Sequence, residues 1–196
     1  MIKSKKLTRF KEIEHSFFNR LGGKSTGIYK SLNCGLSSSD DKKNISKNLA
    51  LIGKKIKSGL NKIVLLNQIH SNKFYYIKKI SKLNPKKFIG DALITNKSNT
   101  PIAVLTADCA PILIFDKKNK TIAAIHAGWK GAYNGIIKKV IKFMIKKGSS
   151  TKDITAVIGP CISLKNYEIK QDFIKRFIKK DPKTKVFFKK VRNKNY

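Results

Sequence analysis

The chain has 196 residues, with 44 Lys or Arg against 11 Asp or Glu and a formal net charge of +33, and at ~150 residues per domain this length points to one compact domain with a real core. No run approaches the ~20 uninterrupted apolar residues that cross a bilayer, and the opening MIKSKKLTRFKEIEH lacks the apolar core of a secretory signal, so no membrane partner and a cytosolic location are expected. The charge alone suggests a polyanion partner, but the only arginines are Arg9, Arg20, Arg176 and Arg192 and the lysines are spread evenly, which disfavours base-edge readout and a specific nucleic-acid partner.

In chain order, the polar stretch Ser37 to Asn48 reads as a surface turn leading into a helix that runs to about Ile56, with Ile45, Leu49, Ile52 and Ile56 on one face. Short apolar runs of strand length follow at 63–66, 92–95, 102–105, 112–115 and 122–125, bounded by Gly, Pro, Asn and Asp. A helix is predicted from about Ala132 to Lys147, where Tyr133, Ile136, Ile137, Val140, Ile141, Met144 and Ile145 form a broad apolar stripe and Gly148 stands at the capping position. A sixth strand run lies at 156–158, and a last amphipathic piece over Phe173, Ile174, Phe177 and Ile178 closes before Pro182. Such runs suit a sheet covered on both faces by helices, so the expected class is a mixed α/β sandwich in a single domain.

Three of these runs end in residues with metal-binding atoms: His70 after IVLLNQ, Cys109 after IAVLTAD, and His126 after TIAAI. They stand 39 and 17 residues apart, too far for a structural finger made from one loop, so a shared site must be assembled by the fold. Two imidazoles and a thiolate make three protein ligands and leave the fourth tetrahedral position of zinc open, as in catalytic rather than structural sites. The competing chemistry is Cys109 as a nucleophile with His126 or His70 as its base. Isolated residues of these types more commonly serve as packed core groups. The segment HAGWKGAYNG carries His126 into the start of the Ala132 helix, whose free amides offer an anion site suited to phosphate, and Asp108 or Asp91 is the candidate to orient a histidine or the substrate.

The segments RLGGKSTGIYKSLNCG, NQIHS, DALITN, TADCAPILIFD, HAGWKG and IGPCISLKNYEI occur in this order along most of the chain. At these residues the sequence resembles the YfiH, or laccase-domain, family, also called peptidoglycan editing factor and regarded as zinc-dependent purine nucleoside phosphorylases. The resemblance implies that His70, Cys109 and His126 are the catalytic zinc ligands and that Arg20 and Asn33 line the nucleoside and phosphate site. It implies phosphorolysis of adenosine, inosine, guanosine and methylthioadenosine to base and ribose 1-phosphate, deamination of adenosine, and a layered α/β sandwich. Lys130 stands where the family commonly has Arg, Cys34 where it has Leu and Ser163 where it has Gly. The family also continues for several tens of residues past VFFKKVRNKNY, so the chain 1–196 is expected to be one domain lacking that C-terminal segment. The alternative reading is a cysteine-dependent hydrolase or amidase acting on peptidoglycan precursors. A copper phenol oxidase is excluded, because three histidines in total cannot supply a type 1 copper and a trinuclear cluster.

Overall fold

The computed structural model describes residues 1–58, 63–78 and 88–189. The chain divides into two compact units, Met1–Pro160 and Cys161–Tyr196. The first contains helix α1 (Lys5–Thr8), a 3-10 turn (Gly27–Tyr29), α2 (Lys42–Lys55), strands β1 (Phe74–Ile77), β2 (Ala92–Thr95), β3 (Ala110–Asp116) and β4 (Thr121–Ala127), helices α3 (Trp129–Tyr133) and α4 (Ile136–Lys146), and β5 (Ile154–Ile158). The strands form one mixed sheet in the order β1-β2-β4-β3-β5, in which β1 and β2 are parallel and the other neighbours antiparallel.

The period-2 alternation of β2, β3 and β4 sends consecutive side chains to opposite faces, and both faces are covered. On one, Ala92, Ile94, Ile112, Ile114, Ala123 and Ile125 pack against Ile136, Val140 and Met144 of α4, all buried. Those three residues of α4 are fully buried, and each contributes roughly 1.5–3 kcal/mol relative to exposure. On the other face, Phe115 and Val157 meet Leu7 and Phe17 of the N-terminal segment, and Leu93 meets Val64 and Leu66. The β3–β4 turn is fixed by buried Asp116, whose carboxylate accepts from the main-chain N–H groups of Lys118 and Asn119 at 2.9 and 3.1 Å and from Asn119 Nδ2 at 2.8 Å.

Four of the six predicted strand runs are strands here, each somewhat longer or equal in extent. The runs at 63–66 and 102–105 are not: they touch through one parallel bridge, Val64 with Ile102, after which Asn67 bridges to Ile89 instead. Val64 and Asn67 face neighbours on opposite sides of the segment and each side holds a single bridge, so no ladder forms. Strand β1 is additional to the predicted set. Its aromatic residues have partners on both faces, with Phe74 and Tyr76 against Phe143 of α4 and Tyr75 against Phe88.

Helix α2 begins at Lys42, capped by Asp41, whose side chain accepts from the Lys43 N–H at 2.8 Å. Residues 42–48 are therefore helical rather than part of the turn. The predicted 132–147 helix is two pieces, because Gly135 adopts the left-handed conformation at φ 75° and interrupts the ladder between α3 and α4. Gly148 follows α4, its N–H on the Ile145 carbonyl.

In the second unit, helix α5 (Gln171–Lys180) places Phe173 and Phe177 at one-turn spacing with ring centroids 4.8 Å apart, and Phe188 lies against both rings. Asp181 caps the following 3-10 turn (Pro182–Phe187) by accepting from the Lys183 N–H. Among the described residues no helix is long and apolar enough to cross a membrane.

Candidate metal centre

Sheet register delivers the three donor residues to one place. In the β3–β4 pairing Ala110 lies opposite Ala127 and Pro111 opposite His126, so Cys109, one residue before β3, stands beside Gly128. In the β2–β4 pairing Ala92 lies opposite Ile125, which sets Asp91 beside His126, and the His126 N–H donates to the Asp91 carbonyl at 2.8 Å. His70 ends the segment that bridges through Asn67 to Ile89 and therefore reaches the same edge. Its main chain takes φ 58°, a left-handed conformation uncommon outside glycine, while its N–H donates to Asp91 Oδ1 at 3.0 Å.

The donor atoms of His70, Cys109 and His126 all lie within 4.8 Å of one another. His70 Nε2 is 3.7 Å from Cys109 Sγ, and the two imidazole rings meet edge to face with centroids 4.7 Å apart. Around a tetrahedral zinc, a nitrogen and a sulfur ligand stand about 3.6 Å apart, so the His70–Cys109 spacing already suits one ion. The third ligand is oriented in advance: His126 Nδ1 lies 2.8 Å from Asp91 Oδ1, in a fully buried contact, which leaves Nε2 for a metal. Gly128 makes the approach possible. A Cβ at that position would lie 2.6 Å from His70 Cδ2 and 3.1 Å from Cys109 Sγ.

Asp91 organises the centre. Its Oδ2 accepts from Ser71 N at 2.6 Å and Ser71 Oγ at 2.7 Å, in addition to the two contacts at Oδ1. Burial pushes the carboxyl up, but the Ser71 hydroxyl, His126 and the amides of Ser71 and His70 outweigh it and hold Asp91 below the ordinary carboxylate range. Of the two candidate aspartates, it is Asp91 that orients a histidine, His126, and Asp108 is exposed beside Cys109. Burial pushes the Cys109 thiol up, and the carboxylates of Asp108 and Asp91 push it further. That is the reverse of the thiolate activation a cysteine nucleophile requires.

The third histidine, His15, is buried in the N-terminal segment, where its Nε2 accepts from the Ser4 N–H at 2.9 Å. The Ala132 amide, expected to help receive phosphate, is committed, since its N–H donates to the Gly128 carbonyl. Helix α3 starts earlier, at Trp129, and the longer α4 starts at Ile136.

Arg20 and Asn33 lie in the glycine-rich segment. Among the described residues neither is hydrogen-bonded to His70, Cys109 or His126. Arg20 is exposed, and its carbonyl accepts from the N–H groups of Ser31 and Leu32. Asn33 closes its own loop: Nδ2 donates to Ser38 Oγ and Asp40 Oδ2, each at 2.9 Å, and Oδ1 accepts from the Gly35 N–H at 3.0 Å. The loop so closed, Gly35 to Ser38, forms one wall of a cleft of about 190 Å³ whose other wall is Leu65 to Gln68 with Leu105, the stretch that runs into His70. Behind it, fully buried Asn48 of α2 accepts from the Lys24 N–H at 2.7 Å and donates to Ser25 Oγ at 2.9 Å, the Ser31 carbonyl at 3.2 Å and the Asn33 carbonyl at 2.7 Å. Neither Asn48 nor Ser71 carries a local sequence signal, because each acts through partners remote in sequence, Asn48 chiefly on main-chain groups and Ser71 on the Asp91 carboxylate.

The chain matches, over residues 14–196, the family model described as multi-copper polyphenol oxidoreductase laccase. It is 33% identical over 186 residues to a purine nucleoside phosphorylase of Bacteroides thetaiotaomicron, covering 91% of this chain and 69% of that protein. A Rickettsia conorii protein named purine nucleoside phosphorylase is 39% identical over 126 residues, 64% of this chain and 50% of its own length. Among solved structures, the Bacillus licheniformis hypothetical protein YfiH is similar with a TM-score of 0.79 and 27% identity, covering 88% of this chain and 68% of that one. A Neisseria meningitidis protein of the DUF152 family gives a TM-score of 0.75 at 28% identity, covering 89% and 69%.

Proposed function

The chain belongs to the YfiH/DUF152 laccase-like family, and from that premise we propose that it is a zinc-dependent purine nucleoside phosphorylase with adenosine deaminase activity. The observation that carries this reading is the convergence of His70, Cys109 and His126 with His126 locked on Asp91. Relatives named purine nucleoside phosphorylase support its phosphorolytic part. The substrates on this reading are adenosine, inosine, guanosine or methylthioadenosine together with phosphate, in the cytosol.

The chemistry divides among the chain's own residues. His70, Cys109 and His126 would hold the ion, and Asp91 keeps His126 in the tautomer with Nδ1 protonated and Nε2 free. Held by these residues, a zinc ion would supply Lewis acidity toward charge developing in the transition state and would lower the pKa of water to ~7. Phosphorolysis exchanges the N-glycosidic bond for a C–O bond to phosphate while the leaving purine gains electron density, so positioning and charge neutralisation are what the site must provide. Arg20, exposed on the glycine-rich segment, is the proposed grip on phosphate, its planar fork matching two oxygens at once. Asn33 acts by closing the loop that walls the cleft.

Purified protein incubated with zinc, phosphate and inosine or adenosine tests the reading, with base, ribose 1-phosphate and hypoxanthine separated by chromatography. Phosphate-dependent release of base that is lost on chelation is the expected result, and absence of turnover with zinc bound sinks it. The rival hydrolase has one observation in its favour, the Cys109–His70 spacing of 3.7 Å. It predicts the opposite pattern, with chelation harmless and cleavage of a peptidoglycan-type amide.

A further inference from the structure

Two chain segments carry metal ligands out of the body of the sheet: residues 64–70 lead to His70 and residues 102–109 lead to Cys109. They begin as a parallel pair. The Val64 N–H donates to the Pro101 carbonyl at 2.8 Å, and the Ala103 N–H donates to the Val64 carbonyl at 3.0 Å. A continued parallel ladder would next join the Leu105 N–H to the Leu66 carbonyl and the Gln68 N–H to the Leu105 carbonyl. Neither bond forms, and the main-chain groups of Asn67, which face the opposite side as alternate residues of an extended segment do, pair elsewhere: its N–H donates to the Phe88 carbonyl at 2.8 Å and its carbonyl accepts from the Gly90 N–H at 3.0 Å. The bridge to Ile89 leads the chain toward His70 beside Asp91, and the missing rungs leave both main-chain polar groups of Leu105 without a main-chain partner in the 64–68 segment.

The Gln68 side chain takes both of them. Its Oε1 accepts from the Leu105 N–H at 2.7 Å and its Nε2 donates to the Leu105 carbonyl at 2.7 Å. A primary amide has one acceptor and a donor on the same planar head, so it can replace the peptide edge that the departed backbone no longer offers. Gln68 stands two residues before His70, and Leu105 four residues before Cys109. The pairing is thus the last cross-link between the two ligand arms before the donor atoms meet at 3.7 Å.

We propose that Gln68 is a positioning residue of the metal centre, its side-chain amide substituting for the missing rungs of the 64–68 and 102–106 ladder and setting the His70–Cys109 separation. The inference rests on the reading of the cluster as a metal site. Its physical content is that ligand affinity depends on the geometry in which the free protein holds the donors, so releasing one cross-link between the arms lowers affinity without removing a ligand.

The test is zinc affinity of the purified chain, measured by competition with a chromophoric chelator, for the wild type, Gln68→Met and Gln68→Ala, with the thermal midpoint of each metal-free protein. Methionine keeps the length of the side chain and lacks both hydrogen bonds. Val64→Ala, which trims buried packing lower in the same pair of segments, is the stability control. Gln68→Met is expected to bind zinc about tenfold more weakly than the wild type, while Val64→Ala loses stability and keeps wild-type affinity. Equal affinity for Gln68→Met and the wild type overturns the proposal. So does a loss of affinity that tracks the thermal midpoint across all three variants, which would make the effect one of general stability. If the wild type itself binds no zinc, the metal reading fails and the inference goes with it, an outcome distinct from the other two.

Discussion

Asp91 Oδ1 stands 2.8 Å from Nδ1 of His126 and accepts the main-chain N–H of His70 at 3.0 Å, so one carboxylate oxygen fixes two of the three donor residues. Its partner oxygen is held by Ser71 alone, through both N–H and hydroxyl. Replacing Asp91 by Asn keeps the shape but puts an NH2 where one oxygen accepts only donors. Asp91→Asn is therefore expected to weaken zinc binding by about 10–100-fold and to cost roughly 1–3 kcal/mol of stability. Chelator competition and urea denaturation check the two numbers, and unchanged zinc affinity in a folded variant contradicts the role given to Asp91.

Gly128 tests the same site from the opposite side. The atoms its Cβ would strike belong to His70, an exposed ring that can swing away, and to Cys109. Gly128→Ala is expected to leave the thermal midpoint nearly unchanged while separating His70 from Cys109 and lowering zinc affinity at least about tenfold. A variant that binds zinc normally would show that this close approach is dispensable.

Asn48 holds the glycine-rich loop from within. Its side chain satisfies groups on Lys24, Ser25, Ser31 and Asn33 from a position with no solvent exposure. Asn48→Ala leaves those groups without partners and is expected to cost about 2–4 kcal/mol. Urea denaturation reads the loss. If the loop organises the phosphate site, the Michaelis constant for phosphate rises while zinc content stays at the wild-type level.

Cys34 gives a pH dependence with a definite sign. Burial pushes its thiol from 9.0 up to about 11. Between those values the unfolded chain has released a proton that the folded chain keeps, so stability falls as pH rises, by about 1.4 kcal/mol per pH unit. Below pH 9 both states keep the proton, so the stability is undiminished and no longer depends on pH through this group, and above about 11 the loss is complete. Cys34→Ala is expected to show a shallower alkaline decline than the wild type, measured as the difference between their denaturation free energies from pH 8 to pH 11. Parallel curves would show that the thiol is not held in its neutral form.

Much of the candidate site was legible because its chemistry is scarce. With three histidines in the chain, His70 and His126 stand out beside Cys109 at the ends of apolar runs. Strands β2 to β5 were legible for a similar reason, since their short apolar runs are closed by turn residues. Strand β1 was not, although FYYI has strong β-propensity: it is short and edge-placed, and its aromatic side chains find their partners in Phe143 and Phe88. The break at Gly135 was hidden inside an apolar stripe that continues across it in sequence.

The sequence by itself determined which residue types can bind a metal, the alternation that buries both faces of the sheet, and the apolar stripe of α4. Only the tertiary structure decided that residues 64–67 meet their two neighbours through single bridges rather than ladders, that Asp91 rather than Asp108 holds His126, and that Gln68 and Asn48 serve main-chain groups far away in the chain. The reason is physical. Burial and periodicity are properties of a segment, whereas a hydrogen bond to a stranded peptide group exists only once the fold has left that group without its regular partner.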